Sequence, residues 1–535
     1  MVFLNMSFLS ISAWLTTNPF HILRRPSPRR SLDLSMTTKT PKKKVVKTVI
    51  EYKCSPLVSF VNRVSAIINS DDTTVMARNK PIDFTRHRCF SSSSTIMYFA
   101  FRHRTNTGFE LNSFFSDVGK LKNRISRQAL FANGKKLNPY VFRYLTQETS
   151  KEFYKSELVK KLNGYIVLAE DGTTIEVPDT PDAIRYYTLR GNGKLSIADQ
   201  IEDAKRKIKL AMLYDVLNGN IIDFTYNNFN YSEIPMCMNH LYTLKNHVTD
   251  DPGKYLLLAD RYYPSLKIFS FVEYMGMKYC IRGKKNFYKN LVKEMKSDDE
   301  VIEVTPYKLA FKELSKYPEC EAYFKENESI KIRVVRHRYK YTDKDGKEAA
   351  TELLYFTNLS KDEFSAEDII DLYSRRWDIE TDYKSLKSIL EIERHISTSL
   401  NIAECCILGK IFMMSIFGII GKEIDDVLRN VYMISKAEGN DDKYRYEVNT
   451  QQMIDVLRKQ GILDGILNGR KRKIRNAITT VIELLNKIKV PIRPDRHYPR
   501  WNKYVVSPPK NRYRIDGREH AKVKRFKGIY ITVRK

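Results

Sequence analysis

Cysteine is sparse and shows no pairing pattern: the seven (Cys54, Cys89, Cys237, Cys280, Cys320, Cys405, Cys406) are odd in number, scattered, and include no Cys-x-x-Cys pair. That usage excludes a disulfide framework and points to a reducing compartment, the cytoplasm. Cys237 and His240 have the spacing of half a zinc site, but no second pair completes it. Tryptophan is confined to Trp14, Trp377 and Trp501. Long hydrophobic runs are missing as well. The best, Ile407–Ile420, contains Lys410 and falls short of the roughly 20 residues needed to span a bilayer, so it reads as a buried core helix rather than a membrane anchor. Residues 1–20 are fairly apolar, yet Arg24, Arg25, Arg29 and Arg30 follow that stretch, the reverse of a secretory signal. Acidic charge is in deficit, with 63 Asp and Glu against 92 Lys and Arg, a net of +29.

What is present is a chain of 535 residues, 42% of them hydrophobic, enough for two or three domains and a sizeable core. The positive charge is concentrated at one end: from Arg470 onward 21 basic residues face 4 acidic ones, a net of +17. A polyanion is the natural partner of such a segment, because neutralising phosphates releases condensed counterions. Residues 1–48 read as a disordered leader or an over-extended start, with Met36 opening an alternative beginning. Residues 49–160 carry apolar residues at helical spacing and form a helical N-terminal segment, expected to be DNA-binding. Within it, ISRQALFANGKKLNPYVFRYL has the form of two short helices around a glycine-containing turn, a pattern shared by helix-turn-helix motifs and by helix pairs with no DNA role.

After residue 160 the period changes to that of strands. GYIVLAEDGTTIEVP predicts an apolar strand ending at Asp171, a turn, and a second short strand. KLAMLYDVLNGNIIDFTYNNF predicts a hairpin turning at Asn218–Gly219. YLLLA is a buried strand ending in Asp260, with Pro264–Ser265 opening a helix, and MKYCIRG is a further strand. Strands interleaved with helices give an α/β sheet. Residues 161–284 are the first part of that core, 285–362 a β-rich insertion built on a long hairpin around Asp343–Gly346, and 363–435 a functional helix with the helices after it. Residues 436–535 are a helical C-terminal region with its basic tail.

Three acidic positions stand out. On a helix each residue advances about 100°, which puts Tyr373, Arg376, Glu380 and Lys387 on one narrow face, with Ile379, Leu386 and Leu390 as an adjoining apolar stripe. Asp378 and Asp382 point elsewhere, so Glu380 is the favoured carboxylate. Asp171 and Asp260 each follow an apolar strand, where a side chain leaves the core of an α/β sheet and enters a crevice. A plainer reading makes Asp171 an Asp-Gly turn former and Asp260 a helix cap. Together, two strand-end aspartates and a helix glutamate suit a pair of Mg²⁺ or Mn²⁺ ions. One ion would activate an attacking water or 3′-hydroxyl, and the other would stabilise the leaving oxygen of a phosphodiester.

Tyr373–Arg376–Glu380–Lys387 resembles the Tyr-x2-Arg-x3-Glu-x6-Lys signature of the insertion-sequence-four (IS-four) family of DDE transposases. DGTTIEVPD around Asp171 and LLADRYYPS around Asp260 resemble that family's first and second acidic blocks. The resemblance implies an RNase H-like catalytic core interrupted by a β-rich insertion. It also implies Asp171, Asp260 and Glu380 as catalytic and metal-binding residues, and Tyr373, Arg376 and Lys387 as contacts to DNA phosphates. It further implies cleavage at terminal inverted repeats, joining of 3′-hydroxyls to target DNA, a homodimer on paired ends, and residence on the nucleoid with no membrane. Some relatives stack an insertion tryptophan on a flipped base; this insertion has none, and Tyr339 or Tyr341 could substitute. The competing readings are a catalytically idle, transposase-derived DNA-binding protein and another RNase H-like nuclease.

Overall fold

The computed structural model describes residues 42–86, 90–102, 106–178, 183, 187, 207–284, 287–305, 314–327, 329–342, 348–437, 439, 444–493, 523–526 and 529–532. The leader expected over 1–48 lies almost wholly outside them, as do the Asp343–Gly346 turn and most of the basic tail. The chain divides into two units, Met1–Thr48 and Val49–Lys535. Of the first, only the beginning of helix α1 (Lys42–Ile68) is described.

Among the described residues, eight strands of the second unit form one sheet in the order β3-β2-β1-β4-β5-β8-β7-β6. They are β1 (Ile166–Glu176), β2 (Lys207–Asp215), β3 (Asn220–Asn228), β4 (Tyr255–Ala259), β5 (Lys278–Arg282), β6 (Asp299–Val304), β7 (Ile330–Thr342) and β8 (Glu348–Thr357). The first three are antiparallel neighbours, β4 and β5 run parallel to β1, and β8, β7 and β6 continue antiparallel from β5. The segment expected to be a β-rich insertion therefore extends the sheet that carries β1 and β4. β4 reads as an unbroken apolar run because both its faces are covered, as parallel strands usually are.

Strand alternation sorts the core into two layers. Val167, Ala169 and Ile175 of β1 face one apolar cluster, and Ile166 and Leu168 face the other. The first cluster gathers α2 (Ser92–Phe101), α3 (Val141–Tyr154), the C-terminal helices and much of the 400–437 helix. The second gathers α4 (Glu233–Thr243) and α5 (Leu266–Tyr274). Of the helix pair read over 125–145, the second member is α3; it lies on β3, where Arg143 grips the buried Asp223 at 2.6 Å and Gln147 donates to the same carboxylate.

After β8 come α6 (Ala366–Ser374), α7 (Trp377–Ser388) and α8 (Leu400–Ala437). A capping box starts α6, with Ser365 Oγ accepting the Asp368 N–H and the Asp368 carboxylate accepting the Ser365 N–H. The apolar stretch read as 14 residues belongs to α8, a helix of 38 residues with a mean hydropathy of 1.9 over its most apolar window. That is long and apolar enough to cross a membrane, but 89% of the window is buried inside the protein, as a core helix requires. The α8 backbone comes very close to the β2–β3 loop: a Cβ on Gly418 would sit 2.1 Å from the Gly219 carbonyl oxygen. Gly219 itself has φ +69°, open to glycine without strain.

Candidate active site

Asp171 does not end its strand. β1 runs unbroken from Ile166 to Glu176, because β2 pairs with it along its length, from Leu168↔Asp215 through Asp171↔Met212 to Glu176↔Lys207. The turn expected at Asp171–Gly172 is absent; nine ladder pairs outweigh the Asp-Gly turn preference. What does end here is β4, whose last pair with β1 is Glu170↔Ala259. Asp171 is thus the first residue of β1 beyond its parallel neighbour, and Asp260 is the first residue after that neighbour stops. The two aspartates meet at the same edge of the crevice, and the charge of Asp260 helps to raise the Asp171 pKa. Asp260 Oδ1 accepts the Tyr262 N–H at 2.7 Å. The helix that follows is capped by Ser265 rather than Asp260. Asp260, Arg261, Tyr262 and Lys284 line a cleft of about 440 Å³ beside the pair.

The single helix expected through Tyr373 and Lys387 is two. The Arg375 and Arg376 N–H groups donate to Leu372 and Tyr373, and those of Asp378 and Ile379 to Arg375 and Arg376, all three residues back. Such i→i−3 bonds tighten the backbone to a 3₁₀-like joint between α6 and α7. Tyr373 lies in the last turn of α6, Arg376 at the N-cap of α7, Glu380 in its first turn and Lys387 in its last. Tyr373, Arg376 and Glu380 nevertheless gather beside Asp171, while Lys387 reaches further along β1, because α7 lies against that strand. Tyr383 donates its hydroxyl to the Asp171 carbonyl at 2.6 Å, and Lys387 Nζ donates to Thr173 Oγ1 at 3.0 Å. Thr173 is two residues beyond Asp171 and so on the same face of the strand.

Arg376 is the hub. Its guanidinium stands 2.7 Å from Glu380 Oε1 and 3.5 Å from Asp171 Oδ2, with only 5% of the residue exposed. The rings of Tyr373 and Trp377 flank it at 5.7 and 5.1 Å. Arg376 Nε and the Tyr373 hydroxyl are both buried and neither finds an acceptor, the hydroxyl lying beside the Arg376 guanidinium. Burial pushes the Tyr373 hydroxyl up to about 12. Burial also pushes the Asp171 carboxyl up to about 7; the Gly172 N–H and Arg376 oppose that rise, and Asp260 and Glu233 add to it. Among the described residues no group of three or more His, Cys, Asp or Glu side chains is close enough to hold a metal ion. Of the other insertion aromatics weighed, Tyr339 is 40% exposed and stacks on His337 at 5.5 Å, whereas the Tyr341 side chain lies outside the described residues.

Asp378 and Asp382 do point away. Asp378 pairs with Lys422 of α8 at 3.0 Å, and Asp382 is buried, which pushes its carboxyl up to about 7. Residues that sequence reasoning missed lie behind β1. Glu170, fully buried, meets His240 Nδ1 with both carboxylate oxygens at 3.0 Å, and His240 Nε2 meets Thr225 Oγ1 at 2.8 Å. The carboxylate of Glu233 packs over Gly172, where any Cβ would come within 2.4 Å of it, and is held by Lys209 and Tyr263. An acidic residue inside an apolar strand was the signal for Glu170, since a buried charge needs a partner. The Cys237/His240 spacing reflects this network and not zinc ligation: both side chains are buried and His240 is engaged by Glu170 and Thr225.

Residues 162–416 match the family model described as the transposase DDE domain. The transposase for insertion sequence element IS421 of Escherichia coli is 48% identical over 46 residues, 9% of this chain and 12% of that protein. The protein InsL for insertion sequence element IS186A of Escherichia coli strain K12 matches to the same extent. The chain therefore spans about an eighth of the length of these relatives. Among solved structures, a cryo-EM structure of the piggyBac transposase synaptic complex with hairpin DNA aligns with a TM-score of 0.36 and 11% identity, over 82% of this chain and 85% of that one. Residues 162–416 are thus similar to a transposase DDE domain, and a 46-residue stretch is similar to insertion-sequence transposases.

Proposed function

We propose that the chain is a DNA transposase of the insertion-sequence-four type, which cleaves at the terminal inverted repeats of an insertion sequence and joins the freed 3′-hydroxyls to target DNA. The observation that carries this reading is the convergence of Asp171, beside Asp260 at the end of β4, with Glu380 on one buried guanidinium. The strand order β3-β2-β1-β4-β5, with the first three antiparallel and the last two parallel to β1, supports an RNase H-like core. Strands β6–β8 then stand as the insertion before the Glu380 helix. We keep 49–160 as the DNA-binding segment, 161–284 and 363–435 as the core, and 436–535 as the basic C-terminal region. The protein would act in the cytoplasm, on the nucleoid, as a homodimer on paired ends.

By chemistry the donor set suits divalent ions, although in the arrangement described the three carboxylates are not gathered closely enough to hold one. Asp171, Asp260 and Glu380 offer only hard carboxylate oxygens, and the like charge of Asp260 beside Asp171 calls for a cation. Two bound Mg²⁺ or Mn²⁺ ions would supply activation of the nucleophile and stabilisation of the leaving oxygen. The chain's own residues do the rest. Tyr383 fixes the Asp171 backbone through its carbonyl, holding the carboxylate at the edge of β4. Lys387, one pleat further along the same face, and Arg376 and Tyr373 provide donors for the phosphates on either side of the scissile bond. Glu380→Gln should keep binding to a duplex carrying the element's own ends and lose Mg²⁺-dependent cleavage of it. Cleavage at the unaltered rate rejects the assignment.

A further inference from the structure

We propose that Arg376 is a resident counter-ion of the acidic site, given up to divalent cations only when its guanidinium is drawn onto a DNA phosphate. The inference rests on the reading above and adds to it a rule for when the site loads. An exposed Arg–Glu pair one helical turn apart would be an ordinary stabilising contact of a few tenths of a kcal/mol. This one is different in three respects. Its guanidinium is almost fully buried and touches carboxylates from two elements, Asp171 of β1 and Glu380 of α7. It stands where a cation between those carboxylates would stand, so the two compete for the same charge. And it is poorly satisfied: Arg376 Nε and the neighbouring Tyr373 hydroxyl are buried donors with no acceptor. Two unused donors side by side fit an oxygen-rich anion, and phosphate offers its acceptors in that arrangement.

The backbone allows the exchange. Arg376 sits at the 3₁₀-like joint between α6 and α7, ahead of the first turn that carries Glu380 and on a different element from Asp171, so its guanidinium is held by side-chain contacts alone. With no DNA present the guanidinium neutralises the two carboxylates, and a divalent ion must displace it. Once a phosphate takes the guanidinium, the carboxylates are free to hold metal. Metal and DNA end then bind with positive coupling, which by linkage is mutual.

The test is Mn²⁺ binding to the full chain by titration calorimetry, with and without a duplex carrying the element's terminal repeat. The unaltered chain should bind Mn²⁺ about tenfold more tightly with the duplex present. Arg376→Gln should bind it as tightly without DNA as the unaltered chain does with DNA, and the duplex should add nothing. An Arg376→Gln chain that binds no more tightly than the unaltered one overturns the counter-ion role and leaves the metal site standing. If the unaltered chain binds no Mn²⁺ in either state, or if Glu380→Gln does not weaken binding, the metal-site reading falls and this inference falls with it. A second measurement leaves Arg376 in place. In a Trp14→Phe, Trp501→Phe chain, the emission of Trp377, whose ring the guanidinium flanks at 5.1 Å, should change when Mg²⁺ and the duplex are added together. Unchanged emission overturns the proposal.

Discussion

Glu170 and Asp171 are consecutive, both acidic, and both pushed up by burial, yet the pleat of β1 sends them to opposite faces with opposite fates. On the Glu170 face the polar groups form a closed chain, Glu170 to His240 to Thr225, with neither Glu170 nor His240 exposed. On the Asp171 face the side chain is 17% exposed, and the guanidinium it meets is shared with Glu380, beside two buried donors that lack acceptors. A satisfied buried network rigidifies a fold, whereas an incompletely satisfied one at a crevice stores binding capacity for something not yet there. The comparison separates scaffold from site across the thickness of a single strand.

The largest expected effect tests that separation directly. Asp171→Asn should lower Mg²⁺-dependent DNA cleavage by about 10³-fold or more while the urea unfolding midpoint does not fall below that of the unaltered chain. Glu170→Ala should do the reverse. It leaves His240 without its buried partner, at a cost of about 3–5 kcal/mol in urea unfolding, and should reduce cleavage only as far as it reduces folded protein. A Glu170→Ala chain that folds normally yet cannot cleave would break the comparison and place both faces in the chemistry.

The pH dependence of stability is the next effect in size. Burial pushes the Asp171 carboxyl up to about 7, against the pull of the Gly172 N–H and of Arg376. A raised carboxyl pKa means that the folded chain holds the proton more tightly than the unfolded one. Its contribution to stability is therefore complete below about pH 4 and is lost as pH rises through about 7. Glu170 is shifted in the same direction, chiefly by burial and against the pull of His240. In EDTA the thermal midpoint should fall between pH 5 and 8, with Asp171 contributing about 1–3 kcal/mol across the window. Mg²⁺ added together with the end duplex should flatten only the Asp171 share. A slope that Asp171→Asn leaves unchanged would assign the whole effect to the sealed face.

The two faces were unequally legible in the sequence. The open one carried its own marks: an acidic residue after each apolar strand and a helix-spaced Tyr-Arg-Glu-Lys set. Its details depended on partners that local patterns do not contain. Asp171–Gly172 has turn chemistry, but a full-length ladder to β2 keeps the strand extended, so Asp171 marks the end of β4 rather than of its own strand. No proline or glycine announces the joint at Arg375–Arg376; it is visible only in the hydrogen bonds that close three residues back instead of four. In 285–362 the strands expected on either side of Asp343–Gly346 are β7 and β8, but two short helices, Lys289–Glu294 and Pro318–Glu326, lie in the same segment, and nothing in its alternation said that β8 would pair with β5 and extend the main sheet. The sealed face was nearly silent. Glu170 was not singled out, and its partner His240 lies 70 residues away on α4. Pairings of that range are set by tertiary packing.

Lys387 gives the smallest and most delicate test, because it lies on the open face but already has a partner. Its ammonium donates to Thr173 Oγ1 at 3.0 Å, a bond to a neutral hydroxyl worth about 1 kcal/mol. A residue kept only for that bond would be replaceable at small cost in stability and none in DNA binding. A cation kept for phosphate behaves otherwise: Lys387→Ala should weaken binding to the element's ends about tenfold and lower the slope of log affinity against log salt by about 1. Thr173→Val removes the hydroxyl and leaves the charge, so it should disturb Lys387 packing with the salt slope unaltered. If both substitutions leave DNA binding and its salt dependence where they were, Lys387 belongs with Glu170 as part of the scaffold, and the open face is narrower than the Tyr-Arg-Glu-Lys spacing implies.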